Sequence, residues 1–449
     1  MKLKTTSLLI AGTLFGAAML PAQANNEAMA DLLKVLRDKG TISAEDYNML
    51  KNAAVADQEK TEAAQAEVKK QVAEATADMP KITTEGKIKI ESRDGSWSFQ
   101  PIGRVMWDAM STDGDGGEEY HGSELRRARL GFEGSIYDWD YKFEGDFAEG
   151  DTSIKDAFVA YNTKLGGNKA NLKMGQSQIA FGFNTAASSK YMTFIDRPFY
   201  ADKITSPARQ SGLVGKLDGG MWSFATSVTQ GSIGGGEAEE SANGTTVAVR
   251  GTVLPYMADS AHLVQLGAGY MTTSSNADKF DFNNHLTAHT DPQKIQARTL
   301  NASQFDGSDA YGVDAVGIFG SFHVLAEYNG FTADSNDALG DIDIDSYSVE
   351  AGYYLTGESM KMKNGLWDGV SPKNSYGAWQ IATRFETTEI DDNADNQQAD
   401  MWTVGLNYIP VKNIRLMLDY STVTNFESDN AARDGVEPSA IKFRAQAKW

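Results

Sequence analysis

The residues best equipped for chemistry in this chain are basic, and they fall in two groups. The stretch Ile179 to Arg209 carries Lys190, Arg197, Lys203 and Arg209 against Asp196 and Asp202, a surplus of two positive charges. Arg104, Arg127, Arg129 and Lys142 lie in stretches of alternating polarity, each on the polar parity. An arginine fork can hold two oxygens of one oxyanion, and a lysine acts as a compact point charge. Several such groups along a narrow passage favour one sign of ion, provided each holds it weakly enough to let it leave. The same cations have a second use. Paired with Glu133, Asp140, Glu144, Asp146 and Asp196 they would brace a wall and leave a passage of little selectivity.

Other chemistry is poorly provided for. His285 and His289 are four residues apart but have no evident third ligand, so they predict an ordinary loop and no metal. Asp113-Gly114-Asp115-Gly116 resembles the start of a calcium loop but lacks the closing glutamate. There is no nucleophile-elbow serine, and the absence of cysteine removes thiolate nucleophiles and thiolate metal sites. Neither an enzyme nor a cofactor is expected. The formal charge of −20 argues against nucleic acid as a partner, because phosphate backbones demand a basic footprint.

What must position the basic residues is a set of strands. The last ten residues, Ala440 to Trp449, alternate Ile441, Phe443, Ala445, Ala447 and Trp449 with Lys442, Arg444, Gln446 and Lys448. That is a period of two, with one apolar face and one charged face, and it ends on an aromatic. Such a strand suits a membrane barrel, apolar outward to lipid and charged inward to water. A soluble sandwich strand has the same pattern. Similar alternation recurs at 97–110, 124–137, 139–147, 153–163, 169–177, 209–218, 220–230, 245–255, 261–273, 308–317, 319–331, 342–356, 374–389, 399–409, 411–425 and 439–449. The joins also alternate. Those at 137–139, 217–220 and 409–411 are short, whereas those at 111–123, 231–244, 274–307 and 390–399 are long and mostly acidic. A sandwich has no reason to do this; a barrel with short periplasmic turns and long outer loops does.

The N-terminal part differs. Residues 1–24 read as a secretory leader, with Lys2 and Lys4, an apolar run from Leu8 to Leu20 and the small-residue site Ala22-Gln23-Ala24. Its loss makes the chain two charges more negative. Residues 25–80 read as a periplasmic helical arm: Gly40 ends a first helix and Ser43 caps a second. A heptad runs through Ala54, Gln58, Thr61, Gln65, Val68, Val72, Ala75 and Met79, which fits either a coiled coil or a solvated linker. Residues 81–96 form a linker with a short strand, and 97–449 the barrel; 179–209, which is long, joins two strands and is less acidic than the outer loops, is the candidate constriction. The expected fold is thus an all-β, 16-stranded antiparallel transmembrane barrel behind a helical arm.

The segments Glu124-Leu125-Arg126-Arg127-Ala128-Arg129-Leu130-Gly131-Phe132-Glu133-Gly134, Trp139-Asp140-Tyr141-Lys142-Phe143-Glu144 and Ser188-Ser189-Lys190-Tyr191-Met192-Thr193-Phe194-Ile195-Asp196-Arg197 carry a family resemblance. Over Ser92 to Trp449 the chain resembles the phosphate-selective O/P porins. The resemblance implies a homotrimeric outer-membrane channel of a Gram-negative bacterium, in contact with lipid and lipopolysaccharide. It also implies passive diffusion of small anions such as phosphate, and recognition of the C-terminal Trp449 by the barrel-assembly machinery. One feature of the family is missing. No strand carries an R-x-R-x-R run, and 220–230 has no charge at all. A general, weakly selective porin and a plugged, structural or adhesive barrel are the alternatives.

Overall fold

A computed structural model describes residues 21–75, 79–115, 119–148, 150, 152–201, 208–231, 244–274 and 279–449. The leader expected over 1–24 lies outside these, apart from the last four residues, which begin a helix. The chain divides into two units, 1–79 and 80–449.

The first unit is a helical hairpin of α1 (Pro21–Asp38) and α2 (Ala44–Ala75). Gly40 at φ +69° ends α1. Its N–H bonds Arg37 O and that of Thr41 bonds Leu36 O, the paired bonds of a Schellman stop. Ser43 Oγ accepts the Asp46 N–H at 3.0 Å and donates to the Asp46 carboxylate at 2.6 Å, a reciprocal cap at the start of α2.

The second unit is a closed barrel of sixteen antiparallel strands. In order they are β1 (Trp97–Asp113), β2 (Tyr120–Ile136), β3 (Trp139–Asp146), β4 (Ser153–Leu165), β5 (Asn168–Gln178), β6 (Arg209–Asp218), β7 (Trp222–Gln230) and β8 (Thr245–Asp259). There follow β9 (His262–Ser274), β10 (Phe305–Phe319), β11 (Phe322–Ser335), β12 (Ile342–Tyr354), β13 (Ala378–Asp391), β14 (Gln397–Val411), β15 (Ile414–Ser428) and β16 (Ser439–Lys448). Each strand pairs with its sequence neighbours, and β16 returns to β1 with Ser439 opposite Asp113 and Lys448 opposite Arg104. A short ribbon, Lys81–Thr83 with Lys89–Glu91, joins the start of β1.

The alternation in the sequence becomes two faces. Trp107, Leu130, Phe132, Val313, Val349, Trp402 and Ile441 stand on the outside, while Arg104, Arg129, Gln380, Lys442 and Arg444 are buried inside. A continuous apolar exterior is stable only against lipid, and closure leaves no sheet edge unpaired.

Three connections fold into the barrel. The inner loop joins β5 to β6. The outer loop joins β9 to β10 at the same rim, and residues 355–377 join β12 to β13 at the opposite, short-turn rim. The alternation of short and long joins thus has one long member at the short-turn rim. The last connection holds a hairpin, Lys361–Lys363 with Leu366–Asp368. Its Trp367 is buried with the ring centroid 5.2 Å from that of Phe183 on the inner loop. The join expected at 390–399 is also shorter than expected, since the strands run on to Asp391 and resume at Gln397.

A basic wall and a pinned inner loop

Residues 179–201 of the inner loop are mostly buried, among them Phe181, Phe183, Phe194, Phe199 and Tyr200. The segment holds no helix longer than the single turn α3 (Phe183–Ala186). Its backbone polar groups must therefore find partners elsewhere, and the wall from β11 to β16 supplies them. Glu327 on β11 accepts from Phe183 N (2.7 Å), Asn184 N (3.0 Å), Asn184 Nδ2 (2.8 Å) and Tyr200 OH (2.6 Å). Glu350 accepts from Thr193 Oγ1, Asp419 from Ile195 N and Glu386 from Phe199 N. In return Arg415 donates to Met192 O and Thr193 O, Arg384 to Asp196 O and Arg444 to Ile195 O. The inward carboxylates of this half of the barrel are thus engaged in holding the loop.

The other half is basic. On β2 the register slips between Met106 and Trp107 of its partner, so Arg126 is an extra residue, a β-bulge. Arg127 then faces inward opposite Met106, and Arg129 stands directly opposite Arg104. A second bulge on β4 makes Lys155 the extra residue. Its strongest electrostatic neighbours are Arg129, Asp146, Arg127 and Arg209. Three carboxylates thread this wall. Glu144 meets Arg104 at 3.2 Å, Arg129 at 3.6 Å and Lys142 at 3.8 Å. Asp146 meets Arg129 at 2.7 Å, and Asp156 meets Lys142 at 2.6 Å and Arg209 at 3.2 Å. Among the described residues, Lys155, Lys173 and Lys190 have no carboxylate within 4.0 Å, so the wall keeps a positive excess. Lys173 sits over the Phe158 ring at 5.0 Å instead. Burial, with Arg104 and Lys142 close by, lowers the Lys190 ammonium to a pKa of about 8.

Arg104, Arg127, Arg129, Lys142 and Arg209 thus stand together on one wall, and Lys190 comes to it from the loop. Arg104 Nη1 reaches Ser189 Oγ beside Lys190 at 2.9 Å. Arg197 does something else: its Nε and Nη2 donate to Asn184 O and Ala187 O, stapling the loop to itself. Lys203 lies outside the described residues. Lys155, Lys173, Lys216 and Lys448 are not among the site residues expected from the sequence, although the alternation of the last strand places Lys448 on its inward face. Parity alone would have found Lys173, Lys216 and Lys448. Lys155 was hidden because a bulge breaks the period of two. Asp140 and Glu133, expected as partners, form none of these ion pairs; Asp140 accepts from Asn162 Nδ2.

His285 and His289 are not in a solvated loop, which corrects that expectation. The outer loop packs Phe282, Leu286 and Ile295 into the barrel mouth, and Asn284 Nδ2 donates to Phe199 O of the inner loop. Among the described residues no group of three or more potential ligands could hold a metal.

A closed sixteen-strand barrel with lipid-facing apolar sides and an inward loop defines an outer-membrane porin. The family described as phosphate-selective porin O and P matches residues 99–449, and the chain belongs to it. Porin O of Pseudomonas aeruginosa is 26% identical over 361 residues, covering 72% of this chain and 79% of that protein. The fold is shared with an anion-selective porin from Comamonas acidovorans (TM-score 0.52, 12% identity, 79% of this chain and 100% of that one). It is also shared with OmpT of Vibrio cholerae in a form lacking its loop L8 (TM-score 0.52, 13% identity, 79% and 100%). The protein therefore resides in the outer membrane of a Gram-negative bacterium, with the short-turn rim in the periplasm.

Proposed function

We propose that the protein is a passive diffusion channel that prefers small anions, phosphate among them. The observation that carries this reading is the sorting of charge between the two halves of the barrel. The chain is acidic overall, yet the lumenal carboxylates of β11 to β15 are occupied by the inner loop. The face left to a permeant is the one bearing Arg104, Arg127, Arg129, Lys142, Lys155, Lys173, Lys190 and Arg209. It offers many donors at moderate strength, which attracts an oxyanion without trapping it. No single strand needs an arginine run, because neighbouring strands and two bulges build the row crosswise. The relatives agree in kind: one is named for anion selectivity, and the family for phosphate.

The test is the zero-current potential of the purified protein in a planar bilayer across a KCl gradient, repeated with phosphate. A potential of anion-selective sign with chloride current reduced by phosphate supports the reading. A potential near zero means that Glu144, Asp146 and Asp156 neutralise the wall, and the protein is a general porin. A second reading is favoured by the three connections that enter the barrel from both rims: a closed, structural barrel. Near-absent current in a folded sample would select it.

The assembly we propose is a homotrimer. Helix α2 is long and exposed along most of its length. A helix of this kind draws most of its stability from packing and little from propensity, and a coiled coil with two further copies would supply that packing.

A further inference from the structure

Between the inner and outer loops lies a cavity of ≈ 50 Å³, lined by Arg126, Asp196, Arg197, His285, His289 and Lys442 among others. A single water needs roughly 10–15 Å³ by the same measure, so there is room for a small tetrahedral oxyanion. The lining is unusual in its donors. Arg126 arrives there through the β2 bulge. Lys442 of β16 bonds both the Asp196 carboxylate at 2.9 Å and Thr287 O at 2.7 Å. Asp196 is the sole carboxylate among the described lining residues.

The two imidazoles are held in one tautomer each. Nδ1 of His289 lies 3.1 Å from Glu124 Oε2, and Nδ1 of His285 meets the Asp291 carbonyl. Both partners are acceptors, so Nδ1 carries the proton in each ring. That leaves Nε2 as the atom that takes up a proton when the ring charges. The ring centroids are 5.5 Å apart. Burial, with Lys294 and His289 nearby, keeps His285 below the ordinary imidazole pKa, so it is neutral at pH 7.

We infer that this cavity is a proton-tuned oxyanion site at the outer mouth of the channel. It rests on the anion-channel reading and deepens it, by giving the pathway a first station above the basic wall. The charges facing the imidazoles are Glu124 and Arg126 from β2, Asp196 and Arg197 from the inner loop, Lys442 from β16, and Asp291 and Lys294 from the outer loop itself. At neutral pH Asp196 and Glu124 offset part of the positive charge. Protonating an imidazole here adds a positive charge without adding a carboxylate. The site therefore binds a dianion more tightly as pH falls.

Sulfate is the suitable probe, because it stays a dianion from pH 7.5 to 5.0 whereas phosphate titrates within that range. The measurement is the sulfate concentration on the outer side that halves the KCl current, at both pH values. Each imidazolium within ~6 Å of a dianion should lower it about tenfold even under full water screening. The wild type should show that fall, and the double variant His285→Gln/His289→Gln should lose it. Arg126→Gln should raise the half-blocking concentration at both pH values. Heat-modifiable electrophoretic mobility confirms that each variant is a folded barrel. A pH-independent sulfate block in the wild type, or a double variant that keeps the pH dependence, overturns the site. If the KCl potential is anion-selective, that failure touches the mouth site alone; if it is not, the anion-channel reading falls and the site with it.

Discussion

The indole of Trp449 lies directly over Gly103. A Cβ built on Gly103 would fall 2.3 Å from the ring and 2.9 Å from Arg129 O. The two residues also exchange backbone bonds, Trp449 N to Gly103 O at 3.1 Å and Gly103 N to Trp449 O at 3.2 Å. The first and last strands are thus clasped where an aromatic covers a residue without a side chain, a device that pins register between strands.

Gly103→Val should therefore impair closure more than Trp449→Phe. The valine side chain meets both the indole and a backbone oxygen, while phenylalanine keeps most of the ring contact, a difference on the order of 1–3 kcal/mol. The fraction of heat-modifiable, folded barrel after refolding into detergent reads this directly. Equal yields would show that the clasp is incidental.

Glu327→Ala should loosen the inner loop. Four donors lose a charged acceptor, and bonds of that kind contribute roughly 1.5–3 kcal/mol each. Single-channel recording should show larger and noisier conductance with a zero-current potential closer to zero. Glu327→Gln, which keeps the shape and part of the acceptor capacity, should lie between. Unchanged conductance in a folded Glu327→Ala barrel would mean that the remaining anchors suffice.

Lys190 gives a pH dependence in the alkaline range. Its ammonium, lowered to about 8, is charged below that pH and neutral above it. Anion selectivity should therefore decline as pH rises through about 8. Lys190→Arg should lessen the decline, since guanidinium stays charged. The zero-current potential between pH 6.5 and 9.5 is the observable, and a flat profile in the wild type would remove Lys190 from the pathway.

Reversing two cations that have no carboxylate partner among the described residues, Lys155→Glu with Lys173→Glu, should move the zero-current potential toward the cation-selective sign. Lys164→Glu, near the β4–β5 turn, should change it far less, because an exposed charge at the rim is screened within about 8 Å at physiological salt. Equal shifts would indicate that surface charge rather than the basic wall governs selectivity.

The strands were readable because a closed barrel in lipid imposes a strict period of two on every one of them. Ile441 and Phe443 outward, with Lys442 and Arg444 inward, follow from that constraint alone. What parity could not show was anything that breaks it. The bulges at Arg126 and Lys155 turn basic residues toward the lumen against the local alternation. Phe282, Leu286 and Trp367 sit in connections with no period, so nothing local announces that they are buried. Arg197 was legible as a cation of the loop, but its bonds to Asn184 O and Ala187 O depend on how the loop coils. The row of basic residues runs across the successive strands β1 to β6 and not along any one of them, and so it escaped a search along each strand for an arginine run.

The inner loop precedes its anchors by a long stretch of chain. Phe183 waits for Glu327, Ile195 for Asp419, and Lys190 for Gln446, a separation of 256 residues in the last case. Contacts so distant in sequence carry a high loop-closure cost, and a high contact order slows folding. The loop is also seated in two places along the chain: Phe181 lies beside Gly269 of β9, whereas Phe194 lies against Arg384 of β13 and Gly405 of β14. Seating the whole loop therefore needs the last strands as well as the middle ones, so filling the lumen and closing the wall are linked steps.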